Sequence, residues 1–133
     1  MKVVIDTNIF VSSFFGGNPR LIIDWWKSGK LTLCLTNAII DEYIDVLIRM
    51  GLMGTKEMDD LLSLFRTGSN CVFSLHTTPL AISDDPDDNK FIEAAVALNA
   101  GVIVSGDDHL KKIKKYAGIA ILAPRDFVQN FNP

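Results

Sequence analysis

The chain has 133 residues, one domain's worth, long enough to bury about two thirds of its unfolded surface without help from disulfides or structural metal. With 48 per cent apolar and 22 per cent charged residues it is neither disordered nor collagen-like. A net charge of -3, from 16 acids and 13 bases, argues against a general nucleic-acid coat but not against nucleic acid as such, because acids that hold divalent cations are neutralised in the working state. No apolar run approaches the ~20 residues of a bilayer span, and residues 1–15 lack the basic segment and cleavage site of a signal peptide. The expectation is a cytoplasmic protein with no membrane contact. Cys34 and Cys71 lie in apolar strand-like runs without zinc-site spacing, which fits buried thiols in a reducing compartment.

Val3-Val4-Ile5 reads as a buried strand that stops on Asp6-Thr7-Asn8. In open α/β sheets ligands sit beyond the carboxyl ends of strands, so an acid at this tip marks where a site would be. Ile9 to Gly17 is a connection ending in two glycines, and Asn18-Pro19 is read as the cap and first residue of a helix to Ser28, stopped by Gly29. Of its tryptophans, Trp25 and Trp26, one belongs in the core; the other is suited to packing or, less simply, to base stacking. Leu31 to Leu35 is the second strand. Thr36 or Asn37 caps a largely apolar helix to Met50, on which Glu42, Asp45 and Arg49 share one strip. Thr55 caps a further helix, Lys56 to Arg66, ended by Gly68, and Cys71 to Phe73 is a short strand.

A turn-rich connection leads into the densest acidic stretch, Asp84-Asp85-Pro86-Asp87-Asp88-Asn89, which opens a helix to Ala100. Counting back from Phe91 on its core face points Asp87 or Asp88 inward. Val102 to Val104 is another buried strand and breaks into Ser105-Gly106-Asp107-Asp108. A helix carrying His109, Lys111, Lys112, Lys114 and Lys115 follows, then a strand from Ile119 to Leu122 and a closing helix from Pro124 to Phe131. Strands alternate with helices without repeats or linkers. The pattern predicts one domain over residues 1–133, a three-layer α/β/α arrangement around a mostly parallel sheet of about five strands.

Asp6, Glu42, Asp88 and Asp107 all fall on the carboxyl side of such a sheet. Singly, each has an ordinary explanation, since acids favour helix starts and turns. Capping does not explain an acid that follows three buried branched residues. Clustered carboxylates repel one another unless a cation or a proton intervenes, and oxygen-only ligands suit Mg2+ or Mn2+ rather than zinc. One or two such ions serve phosphodiester hydrolysis by activating a water and stabilising the departing oxygen. In that scheme Asp6 and Asp88 bind metal directly. Glu42 binds it or orients the water, and Asp107 holds a second ion or waters around the first. Thr7, Asn8 and Ser105 are placed to hydrogen-bond these acids. Asp87 and Asp108 are additional candidates, and the choice among Asp84, Asp85, Asp87 and Asp88 stays open at this level.

Val3-Val4-Ile5-Asp6-Thr7-Asn8, Asp41-Glu42-Tyr43, Asp85-Pro86-Asp87-Asp88-Asn89-Lys90-Phe91 and Val104-Ser105-Gly106-Asp107 together resemble the four signature regions of PIN-domain nucleases. The likeness runs on to Pro124-Arg125-Asp126-Phe127 and is strongest to the VapC-like toxins of toxin-antitoxin systems. It implies a metal-dependent endoribonuclease with Asp6, Glu42, Asp88 and Asp107 as its acidic quartet, an RNA substrate, a homodimer and an antitoxin protein that covers the site. Lys111, Lys112, Lys114 and Lys115 are candidates for phosphate contact beside the acidic tip, with Arg49 and Arg125 further choices, against the simpler reading of a solvated face. His76 and His109 are too scattered for histidine-based chemistry. A haloacid-dehalogenase-type phosphatase would need a second aspartate where Asn8 stands, and no phosphate-cradling glycine loop with Lys-Ser/Thr is present. The alternatives within the fold are a non-catalytic module that binds RNA or protein and a housekeeping RNA-processing nuclease.

Overall fold

The computed structural model describes residues 1–131. Its strands are β1 (Lys2–Ile5), β2 (Thr32–Leu35), β3 (Cys71–Phe73), β4 (Val102–Val104), β5 (Lys115–Tyr116) and β6 (Ile119–Leu122). The helices are α1 (Thr7–Ser13), α2 (Gly17–Lys27), α3 (Asn37–Arg49), α4 (Lys56–Thr67), α5 (Asn89–Leu98), α6 (Asp108–Lys111) and α7 (Pro124–Asn130), with a 3-10 turn over Pro86–Asp88 leading into α5. Among the described residues the strands form one six-stranded sheet in the order β3-β2-β1-β4-β6-β5, parallel apart from the β5–β6 pair. This is the α/β architecture with a mostly parallel sheet that the alternation predicts. No helix among the described residues is long and apolar enough to cross a membrane.

From β1 the chain steps outward to β2 and β3, then returns across the sheet to β4 on the other side of β1. Right-handed crossovers therefore put α5, which lies over β1, β2 and β4, on the face opposite the helices of the outward leg. The reversal occurs between β1 and β4, and in open α/β sheets ligands sit at the strands' carboxyl ends beside such a reversal. Register fixes the two tips side by side: Val3 pairs with Val102, Val4 with Ile103 and Ile5 with Val104. All six of these residues are buried.

The face under the outward helices is filled by an aromatic group. Phe10 of α1 meets Tyr43 of α3 at 4.4 Å between ring centres and the edge of Trp26 of α2 at 5.8 Å, while Phe65 of α4 stacks on both Trp26 and Tyr43. Trp26 is the core tryptophan; its Nε1 donates to the Asn70 carbonyl at 3.2 Å. Trp25 is half-buried against Phe127 and Phe131, so it packs the closing helix onto α2. Caps follow the sequence at Thr36 and Thr55, whose hydroxyls accept from the Ile39 and Met58 amides, and at Gly68 in a left-handed C-cap.

Three local expectations are corrected. Residues Thr7–Ser13 form a helix, because Ile9, Phe10 and Ser13 present one buried face at helical spacing. In consequence α2 begins earlier, at Gly17 with Gly16 as its cap, and Asn18 lies inside the first turn. The helix expected through Lys115 stops at Lys111. Lys114 adopts φ 64°, and Lys115–Tyr116 then pairs with Ile119–Ala120 across the tight Ala117-Gly118 turn, adding the sixth strand.

Candidate active site

Asp6 follows β1 directly and occupies the N-cap position of α1, yet its side chain makes no capping bond. Its carboxylate is 5 % exposed and accepts a 2.7 Å hydrogen bond from Ser105 Oγ. The fully buried Ser105 hydroxyl also accepts from the Asp107 amide at 2.9 Å, so one serine joins the tips of β1 and β4. Tyr43, buried in α3, donates its hydroxyl to the Ile5 carbonyl and holds the last residue of β1 from the other side.

Asp88 likewise stands at the N-cap position of a helix without capping it. It is buried, and its partner is Ser83 Oγ at a long 3.5 Å. The neighbouring acids are employed elsewhere. Asp85 caps the 3-10 turn by accepting from the Asp87 amide at 3.1 Å, Asp84 pairs with Lys112, and Asp87 is exposed. The turn is braced from behind by Asn89, whose Oδ1 accepts from the Ile82 and Ser83 amides at 3.1 and 2.8 Å.

Asp107 does cap: its Oδ1 accepts from the His109 and Leu110 amides at 2.7 and 3.3 Å. Glu42, one turn into α3, is held at both oxygens, Oε2 accepting from the Thr7 hydroxyl and Oε1 from Lys90 Nζ at 2.7 Å. Asn8 is exposed and makes no hydrogen bond to these acids among the described residues, in contrast to Thr7 and Ser105. Asp108 is exposed and pairs with Lys111 at 3.4 Å. Arg125 is the second residue of α7, just past the carboxyl end of β6. Arg49 lies seven residues beyond Glu42, about 10 Å along α3 and away from the strand tips.

Two of the acids, Asp6 and Asp88, are perturbed by burial and by the charges around them. Burial raises the Asp6 carboxyl above its ordinary range against the Ser105 hydrogen bond, and the charges of Asp107 and Glu42 raise it further. Burial pushes Asp88 up to about 7, with the charges of Asp107, Asp6 and Asp85 and a contact with the Asp107 side chain adding to it. A carboxylic acid that retains its proton near neutrality lies in a field that lacks positive charge. The donor chemistry, all oxygen and mostly carboxylate, therefore fits a hard divalent cation. As the side chains stand, no three Asp, Glu, His or Cys among the described residues are gathered closely enough to hold an ion, so binding would draw them together.

The PIN-domain model matches residues 2–109, a span that takes in β1, the acidic turn, β4 and all four acids. The chain belongs to the PIN-domain family. PIN domains are generally nucleases and use divalent metal ions, which agrees with the oxygen-only rim. Beyond the match, β5, β6 and α7 complete the sheet and its cover on the β4 side. The chain is also similar to Uncharacterized protein MJ1680 of Methanocaldococcus jannaschii, 29 % identical over 145 residues covering 98 % of this chain and 92 % of the relative.

Lys90 was not singled out by sequence reasoning, although a signal existed. A cation in the first turn of a helix faces the positive end of the dipole and calls for a compensating acid nearby. Tyr43 gave no such signal, because a tyrosine on an apolar helix face looks like any core aromatic.

Proposed function

We propose that this PIN domain is a metal-dependent endoribonuclease that hydrolyses RNA phosphodiester bonds, with residues 1–133 working as one nuclease domain. The observation that carries the reading is the pair of buried carboxylates, Asp6 and Asp88, set at helix starts without capping them and both exposed to the charge of Asp107. Capping would have accounted for them; it does not. A bound Mg2+ or Mn2+ would supply a water of lowered pKa and charge stabilisation at the phosphate. Asp6, Asp88 and Asp107 are assigned to hold it. Glu42, with both oxygens engaged, is assigned to orientation rather than direct ligation, and Ser105 and Thr7 to holding Asp6 and Glu42 in place. Water would attack phosphorus in line and give up a proton as one P–O bond forms, while the bond to the departing ribose oxygen breaks and that oxygen takes up a proton.

Phosphate contact is assigned to Lys111 and Lys112, whose partners Asp108 and Asp84 adjoin the acids, and to Arg125. Arg49 is a weaker candidate because of its distance along α3. The likeness to VapC-type toxins supports a cytoplasmic toxin with an antitoxin partner, and exposed Phe15, Ile48, Met50 and Met53 are compatible with a homodimer.

The test is cleavage of a panel of labelled RNAs with Mn2+ or Mg2+, with and without chelator. The Asp6→Asn protein should keep the wild-type circular dichroism spectrum and lose at least 100-fold in rate. Cleavage that persists in chelator or in Asp6→Asn would overturn the metal mechanism. Growth arrest on expression, relieved by the neighbouring open reading frame, tests the toxin assignment separately.

A further inference from the structure

Of the ion pairs among the described residues, one involves a member of the acidic quartet, Lys90 Nζ with Glu42 Oε1 at 2.7 Å. Both side chains are about three-quarters buried, at 24 % and 25 % exposure, so the pair is screened far less than the surface pairs Lys112–Asp84 and Lys111–Asp108. Lys90 reaches Glu42 from the first turn of α5, two residues past Asp88, against the helix dipole. Glu42's other oxygen accepts from Thr7, the residue after Asp6. The glutamate is thus tied to both chain segments that carry the buried aspartates.

We infer that Lys90 is a built-in cation of the acidic rim, occupying the place beside Glu42 that a second divalent ion would otherwise take, so that the site holds a single metal. The inference rests on the metal-dependent reading above and fixes its stoichiometry. A dication approaching Glu42 would have to displace an ammonium that already satisfies one oxygen, and would meet like charge while doing so. Asp6, Asp88 and Asp107 have no cationic partner among the described residues, and attraction for an ion is undiminished on their side.

The experiment is Mn2+ titration of the full chain, followed by electron paramagnetic resonance of free Mn2+ and by melting temperature. The variants are Lys90→Met, Lys90→Arg and, as a control, the double variant Lys90→Met/Glu42→Gln. Wild type and Lys90→Arg should bind one ion per chain, Lys90→Met two, and the double variant one again. In chelator Lys90→Met should melt below wild type, and Mn2+ should raise its melting temperature by more than it raises that of wild type. Two ions on wild type, or one on a folded Lys90→Met, overturns the role of Lys90 and leaves the nuclease reading standing. No ion on wild type at millimolar Mn2+ overturns both. Should Lys90→Met not fold in chelator, refolding it with Mn2+ gives the same count: two ions support the inference and one overturns it.

Discussion

At Asp88 burial and neighbouring negative charge turn an ordinary aspartate into a group that titrates near neutrality. Its carboxyl moves from 3.8 to about 7 on folding, so between those values the folded chain binds more protons than the unfolded one. In chelator, Asp88 should therefore make stability fall as pH rises from about 4 to about 7, with no further change from this group above that. Urea midpoints measured in chelator from pH 4 to 8 check this: Asp88→Asn should be flatter than wild type and the more stable of the two at pH 8. A wild-type profile that rises through the window as steeply as the variant's would show Asp88 ionised throughout. Metal binding should follow the opposite course, weakening below pH 7 because the ion must displace the proton.

The helix that presents Glu42 starts at a buried threonine, and this lets positioning be separated from stability. Removing the Thr36 cap should cost about 1 kcal/mol, as should removing the Thr55 cap of α4. Thr36→Ala should also slow RNA cleavage several-fold by loosening the first turns of α3, whereas Thr55→Ala should leave the rate within about twofold. Denaturant midpoints and single-turnover rates on the two variants make the comparison. Equal rate losses would mean that the start of α3 has no special bearing on the rim.

Elements also show what a single sequence conveys. The three central strands were legible because branched apolar residues ended abruptly on polar ones, and the caps because Thr36, Thr55 and Gly68 act locally. The helix over Thr7–Ser13 was hidden by its own beginning, since Asp6-Thr7-Asn8 looks like a loop and only Ile9, Phe10 and Ser13 carry the period. The turn of chain at Lys114 was missed because four lysines in five residues suggest a solvated helix, while the deciding influence was the unpaired edge of β6. That Asp6 and Asp107 stand beyond the ends of neighbouring strands followed from counting strand ends. The salt bridge of Lys90 joins residues 48 apart, and no local rule reports such a partner. Among the crowded aspartates, burial separates Asp88 from Asp84, Asp85 and Asp87, a distinction that helical phase alone had narrowed to two.

For the whole molecule, the repulsion among the carboxylates around Asp6 and Asp88 is a cost of folding that a bound divalent ion would relieve, since the unfolded chain keeps them apart. Binding to the folded state alone stabilises by about 2.7 kcal/mol at an ion concentration 100 times the dissociation constant. For a chain of this size that corresponds to a rise on the order of 10 °C in melting temperature. Thermal melts in millimolar Mg2+ against chelator should show it, and the increment should shrink in Asp6→Asn. An unchanged melt would count against a site formed on folding.

The hydrogen bond from Ser105 to Asp6 spans 99 positions of sequence. A ribosome making this protein releases the first strand well before the serine that bonds its acid. The first acid of the rim therefore acquires its serine partner only after some 99 further residues have been made.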